Sequence, residues 1–285
     1  MANRIAIIGG GKIGEALLAG LISSGKPTRD LVVAERSKER ADEIAEEYGV
    51  LVTDLPGAVE HAAVVVLAIK PTDVDEVTAT IAGVVDEGET ERLTVSLVAG
   101  VPTERYERAL PAGSPVVRVM PNTPMLVNEA MSAVSPGRYA DDEHVATVVE
   151  LLSAVGKVVV VPERQMDAVT AVSGSGPAYA FLVAEALIDA GVSLGLSRKM
   201  STQLVTQTVR GAGILLTDSG VSPADLRAAV TSPGGTTAAA VRELERINLR
   251  TGFYEAAHAA ARASARSGSV ESGPGVETDI SSASD

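Results

Sequence analysis

Cysteine is absent from all 285 residues. The chain therefore has no disulfide framework, no thiolate nucleophile and no thiolate metal site. Histidine is nearly absent as well: His61, His144 and His258 stand far apart, a spacing that argues against a His-rich metal centre, and no metal is expected. Tryptophan is missing and aromatic residues make up only 2%, which removes the stacking platforms of single-stranded nucleic-acid binders. Positive charge is in short supply, with 24 Lys and Arg against 37 Asp and Glu and a formal net charge of −13. That balance opposes phosphate backbones and anionic membranes, so neither nucleic acid nor a membrane is an expected partner. No apolar run approaches the roughly 18 residues of a membrane helix. The residues MANRIAIIGGG at the start lack the form of a signal peptide, and a cytoplasmic location is expected.

What remains is the mix of an ordinary globular chain, 46% hydrophobic and 21% charged. Up to residue 162, short β-branched runs alternate with helical segments. Strands are expected at 4–8, 31–34, 64–69, 93–98, 116–120, 131–134 and 158–161, with helices such as 12–23, 38–48 and 72–85 between them. Continuous apolar strands separated by helices imply a parallel sheet buried on both faces. The fold class is therefore α/β, with an N-terminal doubly wound, Rossmann-like domain over 1–162.

From residue 163 the strand signal stops. Ala-rich helices are expected at 164–172, 177–192, 198–216, 223–230, 236–247 and 253–265, forming an all-α domain over 163–266. Ser222-Pro223-Ala224-Asp225 marks one helix start clearly, with a cap, a first-turn proline and an acid three residues on. Few polar positions interrupt 169–187, and helices that apolar need burial on more than one side. A second copy of the chain is the expected cover. The stretch 267–285 is Ser, Gly and acid with almost no apolar content, and is expected to be a disordered acidic tail.

Gly9-Gly10-Gly11-Lys12-Ile13-Gly14 contains Gly9-x-Gly11-x-x-Gly14, directly after an apolar strand and at the start of an amphipathic helix. In that context the first glycine permits a tight turn, the second lets backbone approach a pyrophosphate, and the third allows helix–strand packing. Lys12 and Ile13 are expected to border the same cofactor. Cofactor choice is read at Ala34-Glu35-Arg36-Ser37, where the signals conflict. Glu35 suits a ribose 2′-hydroxyl and repels a 2′-phosphate, whereas Arg36 and Ser37 suit that phosphate; if Glu35 turns away, NADP is preferred over NAD. Ala68-Ile69-Lys70-Pro71 and Met120-Pro121-Asn122-Thr123-Pro124 lie at further strand ends, where open α/β sheets bind ligands. Ala68, Lys70, Pro71 and Asn122 are accordingly expected near the cofactor.

Two segments of the helical half stand out: Ser173-Gly174-Ser175-Gly176-Pro177-Ala178-Tyr179 and Ser232-Pro233-Gly234-Gly235-Thr236-Thr237. In the second, open amides of Gly234, Gly235 and Thr236 at a helix start make an anion site suited to a carboxylate. A well-capped bundle helix is the alternative reading of the same residues. Thr237 shares a helical face with Val241 and Leu244, so its hydroxyl is expected to point inward.

Taken in order, these motifs resemble pyrroline-5-carboxylate reductase over roughly residues 3–264, with the segment from Ser232 to Glu243 the most specific part. The resemblance implies NAD(P)H-dependent reduction of 1-pyrroline-5-carboxylate to L-proline, the last step of proline biosynthesis. It also implies an interlocked homodimer with shared active sites, often built into larger rings of dimers. Carried over to this chain, the Ser-Pro-Gly-Gly turn would hold the substrate carboxylate through Ser232, Gly234 and Gly235, with Thr236 and Ser175 beside it and Thr237 at the imine nitrogen. The chemistry agrees with what is missing: a protonated imine brings its own charge, so hydride addition needs no strong protein acid. A β-hydroxyacid dehydrogenase would instead need a lysine on the first long helix of the second half, and none is there. A non-catalytic nucleotide sensor would have no use for a substrate carboxylate site.

Overall fold

The computed structural model describes residues 4–84 and 92–268. Eight strands form one sheet: β1 (Ile5–Ile8), β2 (Leu31–Ala34), β3 (Leu51–Thr53), β4 (Val64–Leu67), β5 (Leu93–Ser96), β6 (Val116–Met120), β7 (Ala130–Pro136) and β8 (Gly156–Val160). Their spatial order is β3-β2-β1-β4-β5-β6-β7-β8, so the chain winds outward from β1 in both directions. β1 pairs in parallel with β2 on one side and β4 on the other, Ile5 lying opposite both Leu31 and Val64. That reversal of direction leaves a crevice at the carboxyl ends of β1 and β4, where doubly wound folds bind their ligands.

The central strands β1, β2 and β4 are apolar at every position because both sheet faces are covered there. Ile5, Ile7, Val33 and Val66 point into one layer, against α1 (Lys12–Ser23), α2 (Lys38–Tyr48) and α6 (Asp142–Ser153). Ala6, Ile8, Val32, Val65 and Leu67 point into the other, against α3 (Leu55–Val59), α4 (Val74–Gly83) and α5 (Thr103–Ala109). Local chemistry sets the helix ends: Ser37 accepts the Arg40 amide to cap α2, and Asp54 accepts that of Gly57 to cap α3.

The structure corrects several expectations. β3 is a three-residue edge strand with Leu51 more than half exposed, too short to register as an apolar run. The expected helix 72–85 opens instead as a 3-10 turn, Pro71–Asp73, before α4 begins, and residue 85 lies outside the described residues. The sheet is not wholly parallel, because β7 runs antiparallel to β6. Only a short 3-10 segment, Thr123–Val127, links those two strands. A parallel crossover needs about a dozen residues or more, so the chain turns straight back.

After β8 every described element is helical. The expected helix 164–172 is a composite: a 3-10 turn (Glu163–Gln165), one α turn, α7 (Met166–Val169), and a π turn (Thr170–Gly174). Then follow α8 (Gly176–Ser193), α9 (Arg198–Asp218), α10 (Pro223–Ala229), α11 (Thr236–Arg246) and α12 (Leu249–Gly268). α8 and α9 pack as a hairpin, tied by the Ser201 hydroxyl donating to the Ile188 carbonyl at 2.8 Å. α12 returns onto α7 and the π turn, where Ser264 Oγ donates to Asp167 Oδ1 at 2.7 Å. α12 reaches two residues into the stretch expected as a tail; the rest of that stretch lies outside the described residues.

α8 buries no residue within one chain: Phe181 and Leu182 remain 67% and 65% exposed. The helical run Glu163–Ser193 contains an 18-residue window of mean hydropathy 1.3, long and apolar enough by composition to cross a membrane. The expectation concerned unbroken apolar runs, and no unbroken run of that length occurs in this segment. Interspersed Gly and Ser break any strict apolar run but lower the average only slightly.

Candidate active site

The crevice at the carboxyl ends of β1, β2 and β4 is a cleft of about 840 Å³, bordered by Gly9, Gly11, Lys12, Ile13, Glu35, Arg36, Ala68 and Lys70. Gly9 sits at φ 105°, and a Cβ there would run into the Ala68 carbonyl oxygen. A Cβ on Gly14 would meet the Gly9 carbonyl, which fixes α1 tightly against the turn. Gly11 is different: nothing lies within 4 Å of where its Cβ would be. It is the N-cap of α1 and offers no side-chain acceptor, so the first-turn amides of α1 face the cleft uncapped. Exposed backbone and a helix N-terminus are what a dinucleotide pyrophosphate requires, and the residues present fit it.

At the end of β2, Glu35 is turned back onto the turn. Its Oε2 accepts the Gly10 amide at 2.8 Å and its Oε1 the Ser37 amide at 2.9 Å. Arg36 is exposed and reaches across the cleft to Asp73, Nη2 to Oδ2, at 2.6 Å. The Ser37 hydroxyl caps α2 by accepting the Arg40 amide. Arg40 clamps the same turn from outside, its Nε donating to the Gly10 carbonyl at 3.0 Å while its guanidinium pairs with Glu15 and Glu43. Glu43, and then Glu15, push the Arg40 guanidinium further up from its ordinary value.

Lys70 is exposed at the rim and Pro71 opens the 3-10 turn beyond it. Asn122 stands two residues past β6, at the N-cap of the 3-10 segment, and its side chain is committed: Oδ1 accepts the Met131 amide at 2.9 Å and Nδ2 donates to the Ser173 carbonyl at 3.2 Å. It thereby ties the π turn to β7. Ser175 follows that turn, half-buried, its amide donating to the Thr170 carbonyl at 2.8 Å. The Tyr179 hydroxyl donates to the Ala171 carbonyl at 3.1 Å, a satisfied bundle tyrosine rather than a free proton donor.

The turn before α11 differs from expectation in two respects. Gly234 takes φ 72°, and the Gly235 amide donates to the Ser232 carbonyl at 3.0 Å, so it is used within the turn. The open amides are therefore those of the first turn of α11, which Gly235 caps without a side chain. Thr237 is half-buried, but Leu244 on the same face is 46% exposed and α11 buries nothing within the chain. The main neighbour of α11 is α12. One chain thus brings Gly9, Gly11, Lys12, Ile13, Glu35, Arg36, Ala68 and Lys70 to the border of one cleft, a border that does not include Gly14, Ser37, Pro71 or Asn122, and it leaves the 232–237 turn on a face with no cover of its own.

Sequence reasoning missed Arg40, Asp73 and the Arg118–Glu163 pair. Arg118 interrupts the apolar run of β6 and is 5% exposed, a buried cation that was the one legible signal. Its Nη1 lies 3.4 Å from Glu163 Oε1, while Glu163 also accepts the Thr103 amide at 2.8 Å and hydroxyl at 2.7 Å. Among the described residues no cluster of three or more potential metal ligands occurs.

Comparison with known proteins gives the following. The family model described as pyrroline-5-carboxylate reductase dimerisation matches residues 163–267, and that described as NADP oxidoreductase coenzyme F420-dependent matches 4–100. A pyrroline-5-carboxylate reductase of Mycobacterium tuberculosis is 50% identical over 277 residues, covering 90% of this chain and 94% of its own. The solved pyrroline-5-carboxylate reductase of Coxiella burnetii is 36% identical with a TM-score of 0.88, covering 95% of this chain and 100% of its own. A pyrroline carboxylate reductase of Plasmodium falciparum, solved with NADP bound, is 29% identical with a TM-score of 0.83, covering 94% and 100%.

Proposed function

The chain belongs to the pyrroline-5-carboxylate reductase family, and on that premise we propose how its residues divide the work of reducing 1-pyrroline-5-carboxylate to L-proline. It is an oxidoreductase with a Rossmann-like domain and a helical dimerisation domain. We assign 1–162 to cofactor binding and 163–266 to dimerisation and substrate.

In this reading the reduced nicotinamide cofactor supplies the hydride. Gly9, Gly11 and Gly14 shape the turn that receives its pyrophosphate, with Lys12 and Ile13 opening α1 beside it. Ala68, Lys70, Pro71 and the backbone at Asn122 border its path toward the π turn. NADPH is the preferred cofactor and NADH the lesser one. Both Glu35 oxygens are engaged by backbone amides, which leaves Arg36, with Ser37 beside it, as the group for a 2′-phosphate.

The observation that carries the substrate assignment is the uncapped start of α11 behind Ser232-Pro233-Gly234-Gly235. Ser232, Gly234 and Thr236 form the carboxylate site, Gly235 holds its turn through the amide it gives to the Ser232 carbonyl, and Ser175 borders the ring. Thr237 hydrogen-bonds the ring nitrogen without itself changing protonation state. The iminium ion carries the charge that a carbonyl reductase would have to supply with an acid, so the residues act by positioning. Because α11 and α8 leave apolar faces open, the site is completed by a homodimer, extended into a ring of such dimers. The location proposed is the cytoplasm.

Initial rates of NADPH and NADH oxidation with 1-pyrroline-5-carboxylate, at low and high salt, test this. Rapid turnover favouring NADPH is the expected result. Folded protein that binds nucleotide but turns over neither cofactor would instead point to a sensor.

A further inference from the structure

We propose that Asp73 sets how strongly this protein discriminates between phosphorylated and unphosphorylated dinucleotides, by competing with the 2′-phosphate for Arg36. The proposal rests on the reading of the cleft as a dinucleotide site.

Asp73 stands at the N-cap of α4, a position where an aspartate ordinarily accepts an amide of the first turn. Here it makes no such bond. Its carboxylate is turned across the cleft, Oδ2 receiving Arg36 Nη2 at 2.6 Å and Oδ1 the Thr72 hydroxyl at 2.9 Å. The Arg36 side chain is 78% exposed and that of Asp73 only 20%. The arginine is thus the exposed partner and the aspartate the enclosed one. Glu35 cannot take over the role of counter-charge, since Gly10 and Ser37 hold both of its oxygens. Glu76 borders the same cleft, so a phosphate arriving at Arg36 meets acid on more than one side.

A phosphomonoester brings a charge of about −1.5 to −2. To pair with Arg36 it must displace Asp73, or share the guanidinium with it against the repulsion of a nearby carboxylate. A 2′-hydroxyl makes no such demand. Exposed pairs of this kind are worth up to about 1 kcal/mol, which corresponds to about a fivefold change in affinity. Removing the carboxylate charge should therefore favour NADP+ alone. Since Asp73 does not cap its helix, Asp73→Asn should fold as the wild type does.

The test is isothermal titration of the full chain with NADP+ and, separately, NAD+, at low ionic strength, for wild type, Asp73→Asn, Arg36→Ala and the double variant. Thermal melts of all four serve as folding controls. The expected result is NADP+ binding about fivefold tighter in Asp73→Asn with NAD+ unchanged, and no such gain in the Arg36→Ala background. Raising the salt should shrink the gain, because the Arg36 charge is exposed. Weaker or unchanged NADP+ binding in Asp73→Asn would overturn the proposal, and weakening would make Asp73 a residue that positions Arg36 instead. An equal gain for NAD+ would overturn it too. A folded wild type that binds neither nucleotide would remove the dinucleotide reading of the cleft and this proposal with it.

Discussion

Replacing Glu163 by alanine should loosen the junction between the sheet and the helical half more than any neighbouring surface change. Glu163 is the first residue after β8 to enter helical structure, and its carboxylate serves two elements at once. It takes the Thr103 amide and hydroxyl at the start of α5, where Pro102 at the N-cap provides no side-chain acceptor. It also faces Arg118 Nη1; the Arg118 side chain is 6% exposed and its buried Nη2 has no hydrogen-bond partner. Breaking a buried ion pair from one side costs about 3–5 kcal/mol, because the remaining charge stays desolvated. The Glu163 side chain is 31% exposed, so water can replace part of what is lost, and about 3 kcal/mol is the working figure. With no tryptophan in the chain, the assay is urea unfolding followed by circular dichroism at fixed protein concentration. A midpoint lowered by about 1 M is expected for a urea slope near 3 kcal/mol/M. Glu163→Gln keeps an acceptor for Thr103 and should lose less. Arg118→Met combined with Glu163→Gln removes the buried charge altogether and should recover most of the loss. A Glu163→Ala midpoint within 0.2 M or so of wild type would refute the reasoning, as would a double variant no more stable than Glu163→Ala.

Thr237→Ala should lower kcat about 10- to 100-fold, the worth of one hydrogen bond to a charged group, with NADPH affinity nearly unchanged. An equal loss of cofactor affinity would mean that Thr237 has been misplaced. Gly14→Ala should unfold or severely destabilise the Rossmann-like domain, because its Cβ meets the Gly9 backbone, whereas Gly11→Ala has room and should fold while binding nucleotide less well. Equal melting temperatures for the two variants would contradict this. Burial pushes the fully buried Tyr106 hydroxyl up to about 12. Between pH 10 and 12 the unfolded chain sheds a proton that the folded chain keeps, so stability should fall with rising pH by about 2–3 kcal/mol from this group. Tyr106→Phe should remove that portion of the alkaline loss in unfolding curves taken across the range.

The nucleotide half was legible because its physics is local. A strand buried on both faces is predominantly apolar, and a glycine-rich turn before an amphipathic helix leaves few alternatives to a backbone-lined anion site. β1, β2, β4, β5 and β6 therefore stood out as runs of apolar residues, as did the Gly9–Gly14 turn. β3 escaped notice because an edge strand three residues long has no pattern to read. The direction of β7 depends on loop length rather than on strand composition. The π turn was read as helix because Thr170, Ala171 and Val172 are compatible with either; its shape follows from packing against α12 and from the tie to Asn122.

The amino-acid sequence by itself determined the doubly wound architecture, the helical second half, the place of the glycine-rich turn and the resemblance that names the chemistry. Each of these is a matter of periodicity, glycine position or motif order, which a linear chain carries openly. Tertiary structure decided where charged side chains go. It turned Glu35 back onto Gly10 and Ser37, drew Arg36 to Asp73, spent the amide of Asn122 on the π turn and buried Arg118 beside Glu163. A charged or amide side chain has several partners within reach of its few rotatable bonds. Which one it finds depends on residues far away in the chain that folding alone brings near.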